Sequence, residues 1–307
     1  MGDVLVENMT ETNRIDVCMC TFQRPSVEVA IESIARQILP SDVSIKLIIA
    51  DNDETTESEA SIRAACAKFG VDLQYIHAPA RNISVARNAC LDAATAEWLA
   101  IMDDDEVAEP TWLANLLAAR CDSDIVFGVV RALYNATTPR WMVEGDFHSS
   151  DLGRERNITS GHAGNVLLRR SFVAAHNLRF DPAVGRSGGE DTLFFYEARL
   201  KGARMALAPD AVVHEPVPAS RENLRWLLRR RFRSGQTHAL CIARFHPEKK
   251  LSAALLAVPK TAYFFAAALL AFANRKIAMR NLWRGALHAG VVAYSFKPRL
   301  LLEYAKT

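Results

Sequence analysis

The chain has 307 residues, half of them apolar, and a formal net charge of +2 at pH 7. That length can bury a sizeable core without disulfide or metal staples, and the composition excludes a disordered, collagen-like or polytopic membrane chain. The small net charge hides a split: residues 1–220 hold 20 Lys and Arg against 32 Asp and Glu, whereas residues 221–307 hold 17 against 3. Regions of opposite sign work in different electrostatic settings, so the chain is read in two parts.

Residues 1–13 read as a flexible N-terminus without an apolar signal core. The six cysteines, Cys18, Cys20, Cys66, Cys90, Cys121 and Cys241, form no CxxC pair, which fits a reduced, cytosolic setting. From residue 14 onward, apolar runs alternate with helix-period segments. Ile15–Phe22, Ile45–Ala50, Leu73–His77, Trp98–Met102 and Ile125–Val130 are predicted strands, and Cys18 and Cys20 fall on one side of the first. Val27–Ile38, Thr55–Phe69, Ile83–Ala94 and Thr111–Ala119 are predicted helices. Such alternation predicts an α/β fold with a doubly wound, mostly parallel sheet, whose ligands bind beyond the carboxyl ends of the strands.

Those ends are unusually polar: Cys20-Thr21-Phe22-Gln23-Arg24-Pro25, Asp51-Asn52-Asp53-Glu54, Asn82 through Asn88, and Asp103-Asp104-Asp105-Glu106. Four consecutive acids repel one another, and a divalent cation would offset that repulsion. The alternative is a solvated acidic loop capping the helix after Pro110. No GxGxxG and no GxxxxGK[ST] is present, so phosphates need a metal held by acids rather than a glycine cradle. Further along, Gly188-Gly189-Glu190-Asp191 opens a helical segment to Leu200, where the acids serve either as a base or as helix caps. His214 follows a predicted strand, Ala211–Val213. The loop Thr138–His162 carries Trp141, Phe147, His148 and His162, and reads either as an acceptor-binding lid or as a loop pinned by its aromatic residues.

In the order of these motifs, the chain resembles the family 2 glycosyltransferases of the GT-A fold over about residues 14–240. The resemblance extends to Pro139-Arg140-Trp141-Met142, Gly145-Asp146-Phe147-His148, His214-Glu215-Pro216 and Arg230-Arg231-Phe232-Arg233-Ser234-Gly235, where it is similar to bacterial exopolysaccharide glucosyltransferases of the succinoglycan type. It implies that Asp51 bonds the base of a nucleotide sugar and that Thr21 and Arg87 line the nucleoside pocket. Asp103 would face ribose or metal, Asp105 would ligate metal, and Asp104 would point away. Arg87 also has a plain role as an ion-pair partner. Asp191 matches the family's catalytic base, with Glu190 as fallback base or acceptor contact. His214 stands where some members complete the metal site, which makes Mn²⁺ an alternative to Mg²⁺.

The basic part, residues 221–307, reads as helical. Asn223–Phe232 sets Leu224, Leu227, Leu228 and Phe232 on one side and Arg225, Arg229 and Arg233 on another. Arg231 and Arg233 are candidates for contact with a diphosphate or lipid headgroup. No nucleic-acid recognition motif accompanies these arginines, so anionic lipid is the expected partner. Leu251–Ala273 is apolar except for Pro259 and Lys260, and Gly285–Phe296 is shorter still. Both are flanked by basic residues, which predicts a monotopic, interface-embedded tail. The alternative is a helical subdomain packed on the sheet or on a second subunit.

These readings combine into expected boundaries and a function. Residues 14–220 form a catalytic domain and residues 221–307 a membrane-interface region. The resemblance implies an inverting, divalent-cation-dependent glycosyltransferase that moves a hexose, glucose from UDP-glucose, to a lipid-linked oligosaccharide on the cytoplasmic face of the membrane. Competing readings are a sugar nucleotidyltransferase, or a non-catalytic membrane-bound nucleotide-sugar-binding protein lacking a working base at residue 191.

Overall fold

A computed structural model describes residues 14–150, 158 and 161–302, so the expected flexible N-terminus at 1–13 lies outside the described residues. The strands are β1 (Arg14–Thr21), β2 (Ser44–Asp51), β3 (Asp72–His77), β4 (Trp98–Met102), β5 (Val107–Ala108), β6 (Ile125–Leu133), β7 (Asn165–Arg169) and β8 (Met205–Pro216). They form one sheet in the order β3-β2-β1-β4-β7-β6-β8-β5. β1, β2, β3 and β4 pair in parallel, whereas β7 runs antiparallel to β4 and β6, and β5 antiparallel to β8. The sheet is therefore mixed: its parallel half matches the expectation, and β7, an unrecognised five-residue run, turns the other half antiparallel.

Helices cover both faces of the sheet, which explains why its strands read as continuous apolar runs. Ile15, Val17 and Met19 face one layer with Leu47 and Ile49. That layer is closed by α1 (Val27–Ala35), α2 (Glu59–Phe69) and α4 (Trp112–Ala118). Cys18 and Cys20 face the other with Ile48 and Ala50, under α3 (Ile83–Ala93) and the Phe194–Phe195 pair. This two-residue period along β1 puts both cysteines on one side, buried as small apolar groups. Asn165 on β7 is a buried polar pin: its Oδ1 accepts the Trp112 indole N–H at 2.8 Å, and its Nδ2 donates to the carbonyls of Val129 and Ala211 at 3.0 and 2.9 Å. Both amide protons and the oxygen of that side chain are paired, so its burial costs little.

The chain divides into two compact units. The first runs to Arg131 and adds Ser149–Arg186 and Leu193–Glu215; the second comprises Ala132–His148, Ser187–Thr192 and Pro216–Thr307. Segments 132–148 and 187–192 thus join the C-terminal helices instead of the sheet, a division that a boundary at residue 220 does not capture. The second unit contains α5 (Arg140–Gly145), α8 (Leu224–Phe245), α9 (Lys250–Leu270) and α10 (Arg275–Phe296); α6 (Arg170–Ala175) and most of α7 (Glu190–Leu200) belong to the first.

In the second unit α8 and α10 cross at backbone contact. A Cβ on Gly235 would lie 1.9 Å from the Leu287 carbonyl oxygen, and one on Gly290 would lie 1.9 Å from that of Phe232. Small residues at both points permit this approach. An aromatic cluster closes the other end, with Trp141 and Phe147 at 5.9 Å and Phe147 and Trp283 at 5.8 Å between ring centroids.

The helix α9 is inverted relative to a helix of a water-soluble protein. Its inward positions Ala254, Ala257, Thr261, Phe264 and Ala268 are mostly small. Its outward positions Leu251, Leu255, Val258, Phe265 and Leu269 recur at the same helical spacing and are exposed. The stripe continues past the helix to Phe272, and Leu269, Leu270 and Phe272 are 75%, 84% and 80% exposed. Pro259 does not interrupt the helix, and Pro247–Leu270 is long and apolar enough to cross a membrane by length and composition.

Replacing Gly290 with Ala should lower stability by about 1–3 kcal/mol, because the added methyl overpacks the crossing. Thermal denaturation checks this, and an unchanged Tm would show that α8 and α10 do not press together.

Candidate active site

Register assembles the first unit's site. Thr21 at the end of β1 pairs with Asp51 at the end of β2, and Asp51 with His77 at the end of β3, so the three side chains share one sheet edge. The acidic run begins immediately after Met102, where β4 ends, and the strand order reverses between β1 and β4. Open α/β sheets bind ligands at such a reversal.

Asp51 is buried and firmly oriented: Tyr75 Oη donates to its Oδ2 at 2.8 Å, and the Asp53 N–H to its Oδ1 at 3.0 Å. A carboxylate retains further acceptor capacity after two such bonds, so contact with a base is compatible with this geometry. The Tyr75 phenol is pushed up by burial and by its bond to Asp51, and it stays a donor. Asp53 is also buried, accepts from Gln23 Nε2 at 2.8 Å and from the Glu54 N–H at 2.7 Å, and shapes the loop. Asn82 caps α3 by accepting the Ser84 N–H at 3.1 Å, while its own N–H donates to Asn52 Oδ1 at 3.1 Å. The cap ties the start of α3 to the end of β2, one turn before Arg87.

The acids are arranged around two arginines. Buried Arg87 reaches Asp103 Oδ1 at 3.2 Å and lies over the Phe180 ring at 5.5 Å. Arg24 pairs with Asp104 at 3.3 Å and also with Asp105. Asp104, between Asp103 and Asp105 in the sequence, is buried and accepts from Thr21 Oγ1 at 2.8 Å. Burial pushes its carboxyl up to about 7, although Arg24 opposes the shift. Glu106, also buried, is pushed well up by burial and then by the charges of Asp103 and Glu215. Asp103 and Asp105 keep the more accessible carboxylates, with side chains 39% and 19% exposed. Asp103 and Asp105 are thus the outer acids available to a ligand. Arg24 and Tyr75 carry contacts in this edge that the sequence did not assign, and Glu106 was marked only as one of four consecutive acids; the only signal for Arg24 was its place in the polar strand end before Pro25.

His214 lies on β8 directly opposite Val107 of β5, two residues beyond Asp105. Its Nε2 faces Glu109 Oε1 at 3.0 Å, whereas Nδ1 is buried without a hydrogen-bond partner among the described residues. With Nε2–H donating to the carboxylate, Nδ1 carries the lone pair, which is the tautomer a metal ligand requires. The donor set of two carboxylates and an imidazole therefore suits a divalent cation, although no three such side chains converge into a preformed cage among the described residues.

The remaining candidates lie in the second unit. Gly188 and Gly189 take φ of 74° and 100°, and a Cβ on Gly189 would lie 2.4 Å from Thr237 Cγ2, so the start of α7 presses onto α8. Asp191 Oδ1 accepts the Thr192 N–H at 2.6 Å, and Glu190 is buried. Arg231 lies 3.8 Å over the Trp283 ring, and Arg233 follows on the same helix. Of the two readings of the loop 138–162, the pinned one describes Trp141 and His148. Trp141 is buried in the aromatic cluster, while His148 is buried with its ring stacked on Trp226 at 5.3 Å, between Tyr134 Oη and the Arg221 carbonyl. Burial, and after it the charges of Arg230 and Arg221, lower His148 to about 4, so it is neutral at pH 7. The rest of that loop includes residues 151–157, 159 and 160, which lie outside the described residues.

Comparison with known proteins agrees with this geometry. The profile of the family "Glycosyl transferase family 2" matches residues 16–176. The chain is 40% identical over 287 residues to the succinoglycan biosynthesis protein ExoM of Rhizobium meliloti, covering 92% of this chain and 93% of the relative. Among solved structures it is similar to the mannosyltransferase PcManGT of Pyrobaculum calidifontis, in complex with GDP-Man and Mn²⁺, with a TM-score of 0.58, 19% identity and coverage of 92% and 88%. It is also similar to residues 1–349 of S. aureus TarS in complex with UDP, with a TM-score of 0.52, 14% identity and coverage of 93% and 92%. The chain spans 55% of the longer TarS chain. A polar carboxyl edge on a mixed sheet, matched by a profile over half the sequence and a relative along nearly all of it, has one conclusion: the chain belongs to the family 2 glycosyltransferases and has their GT-A fold.

Proposed function

We propose that the chain is an inverting, divalent-cation-dependent hexosyltransferase of exopolysaccharide assembly. Its donor is a nucleotide diphosphate sugar, UDP-glucose by resemblance, and its acceptor a lipid-linked oligosaccharide at the cytoplasmic membrane surface. The observation that carries this reading is the strand-end edge itself, where Thr21, Asp51, Arg87 and Asp103 stand together with Asp105. The 40% identity to ExoM supports the exopolysaccharide assignment.

In this reading Asp51 accepts from the base, Thr21 and Arg87 line the nucleoside, and Asp103 and Asp105 with His214 hold the cation. A bound Mg²⁺ or Mn²⁺ supplies Lewis-acid stabilisation of charge on the departing diphosphate. Asp191 accepts the proton of the acceptor hydroxyl as its oxygen attacks the anomeric carbon, so one in-line displacement inverts the configuration. The Thr192 N–H that bonds Asp191 Oδ1 orients the carboxylate for that transfer. Glu190, buried beside it, supports the turn or contacts the acceptor.

Membrane attachment follows from α9. Large apolar side chains on the outside and alanines on the inside gain from lipid on one face and from close helix packing on the other. Arg275, Lys276 and Arg280, next in the chain, suit an anionic headgroup layer.

Three measurements test this reading. Asp191→Asn should reduce sugar transfer about 10²- to 10⁴-fold, the usual contribution of a general base; transfer within a few-fold of wild type removes Asp191 from that role. Asp105→Ala should abolish the cation-dependent part of donor binding in calorimetry, and unchanged affinity overturns the metal assignment. Replacing Leu269, Leu270 and Phe272 by Ser should abolish co-flotation with anionic vesicles, since each large side chain contributes about 1.5–3 kcal/mol on burial. Retained flotation would move the membrane contact elsewhere.

A further inference from the structure

The three long helices of the second unit hold a group of basic side chains that the transfer reaction leaves unexplained. Arg231 on α8 lies against Trp283 of α10, and its Nε is buried without a hydrogen-bond partner among the described residues. Burial, and then the charges of Arg230 and Arg284, push Arg231 down to about 10. Arg284 lies 5.8 Å from the Phe264 ring, which stacks at 5.5 Å and 8° on His288, one helical turn further along α10. His288 in turn is lowered by burial and then by the charges of Lys260, Arg231 and His238. Arg231, Lys260, Arg284 and the two histidines therefore share one neighbourhood.

No acid is among the charges that shift Arg231 or His288. Of the acids after residue 220, Glu222 is taken by Asn135 and Thr138, Glu248 by His246, and Glu303 lies outside the described residues. A ring face under Arg231 offsets only part of the cost of desolvating it. Like charges this close without an anion gain nothing for the fold, so their arrangement points to a ligand that carries the missing negative charge.

An apolar groove adjoins the same group. It has a volume of about 580 Å³ and is lined by Leu256, Pro259, Lys260, Tyr263, Phe264 and His288. The first five follow the i, i+3, i+4, i+7, i+8 pattern of one helical face. Its walls offer little hydrogen bonding and suit hydrocarbon, while Lys260 and His288 place its basic end beside Arg231.

We infer that this groove and its basic end bind a lipid bearing a phosphate or diphosphate headgroup, with the hydrocarbon between Leu256, Pro259 and Tyr263 and the anion at Arg231, Lys260 and Arg284. The inference rests on the lipid-linked acceptor proposed above, and it specifies where the carrier of that acceptor is held. Apolar walls account for the tail and uncompensated cations for the headgroup; neither alone accounts for both.

The test uses the full chain in mild detergent with farnesyl diphosphate as probe, and inorganic diphosphate, farnesol and phosphatidylglycerol vesicles as separate arms. Farnesyl diphosphate should bind at least tenfold more tightly than farnesol or inorganic diphosphate, and Arg231→Gln and Lys260→Gln should each weaken it at least tenfold. Arg231→Gln should also raise Tm, because it removes an uncompensated cation, so loss of binding will not be mistaken for misfolding. Unchanged affinity in both variants overturns the site, as does equal binding of inorganic diphosphate, which leaves the groove unused. Equal dependence of phosphatidylglycerol vesicle binding on Arg231 assigns it to bulk headgroups and overturns the carrier. A parallel rise in the KM for the nucleotide sugar in Arg231→Gln assigns the arginine to the donor instead. If farnesyl diphosphate binding depends on Arg231 yet no sugar reaches a lipid-linked acceptor, the site stands and the acceptor assignment fails.

Discussion

Crowded negative charge is the constraint around which the sheet edge is built. Five carboxylates, Asp51 and Asp103 to Glu106, occupy neighbouring strand ends, and each is managed differently. Tyr75 and a backbone N–H hold Asp51. Arg87 meets Asp103, and Arg24 spans Asp104 and Asp105. For Glu106, burial favours the neutral acid. The result is graded: the inner acids are spent on structure, while the outer ones stay accessible to a ligand. A uniformly ionised cluster would repel itself apart, and a fully neutralised one could not hold a cation.

Much of this was legible in the sequence because parallel strands make their carboxyl ends legible. Each of β1, β2 and β4 is an apolar run followed at once by polar residues, so the site could be located before any contact was known. The roles within it were less accessible. Asp104 looks identical to its neighbours in sequence, and only the placement of Thr21 and Arg24 turns it inward. Arg24 sits in a short turn with no periodicity to mark it. β7 escaped notice because Asn165–Arg169 runs directly into α6 at Arg170, with no turn residues to mark its end.

In the basic part, the sequence reveals what is apolar but not which way it faces. Leu251–Ala273 is nearly uniform in composition, and the difference between alanine inside and leucine outside appears only once the neighbouring helix is in place. Pro259, an exception in the apolar stretch, is accommodated in a continuous helix. For Trp141 and His148 the sequence left a sugar-binding lid and a pinned loop as alternatives, since aromatic residues in a long loop serve either end. They close the aromatic packing of the second unit.

The outward stripe of α9 has a consequence for the chain during its synthesis. Leu251, Leu255, Val258, Phe265 and Leu269 form a continuous apolar strip, and an exposed strip of that kind associates with whatever apolar surface it meets first. During synthesis that surface is either lipid or another copy of the same strip. The strip follows the sheet strands in the sequence, so the sheet can be complete before the strip is translated. Chain order itself, sheet first and strip after, therefore limits the time for which an unfolded sheet and an exposed strip coexist.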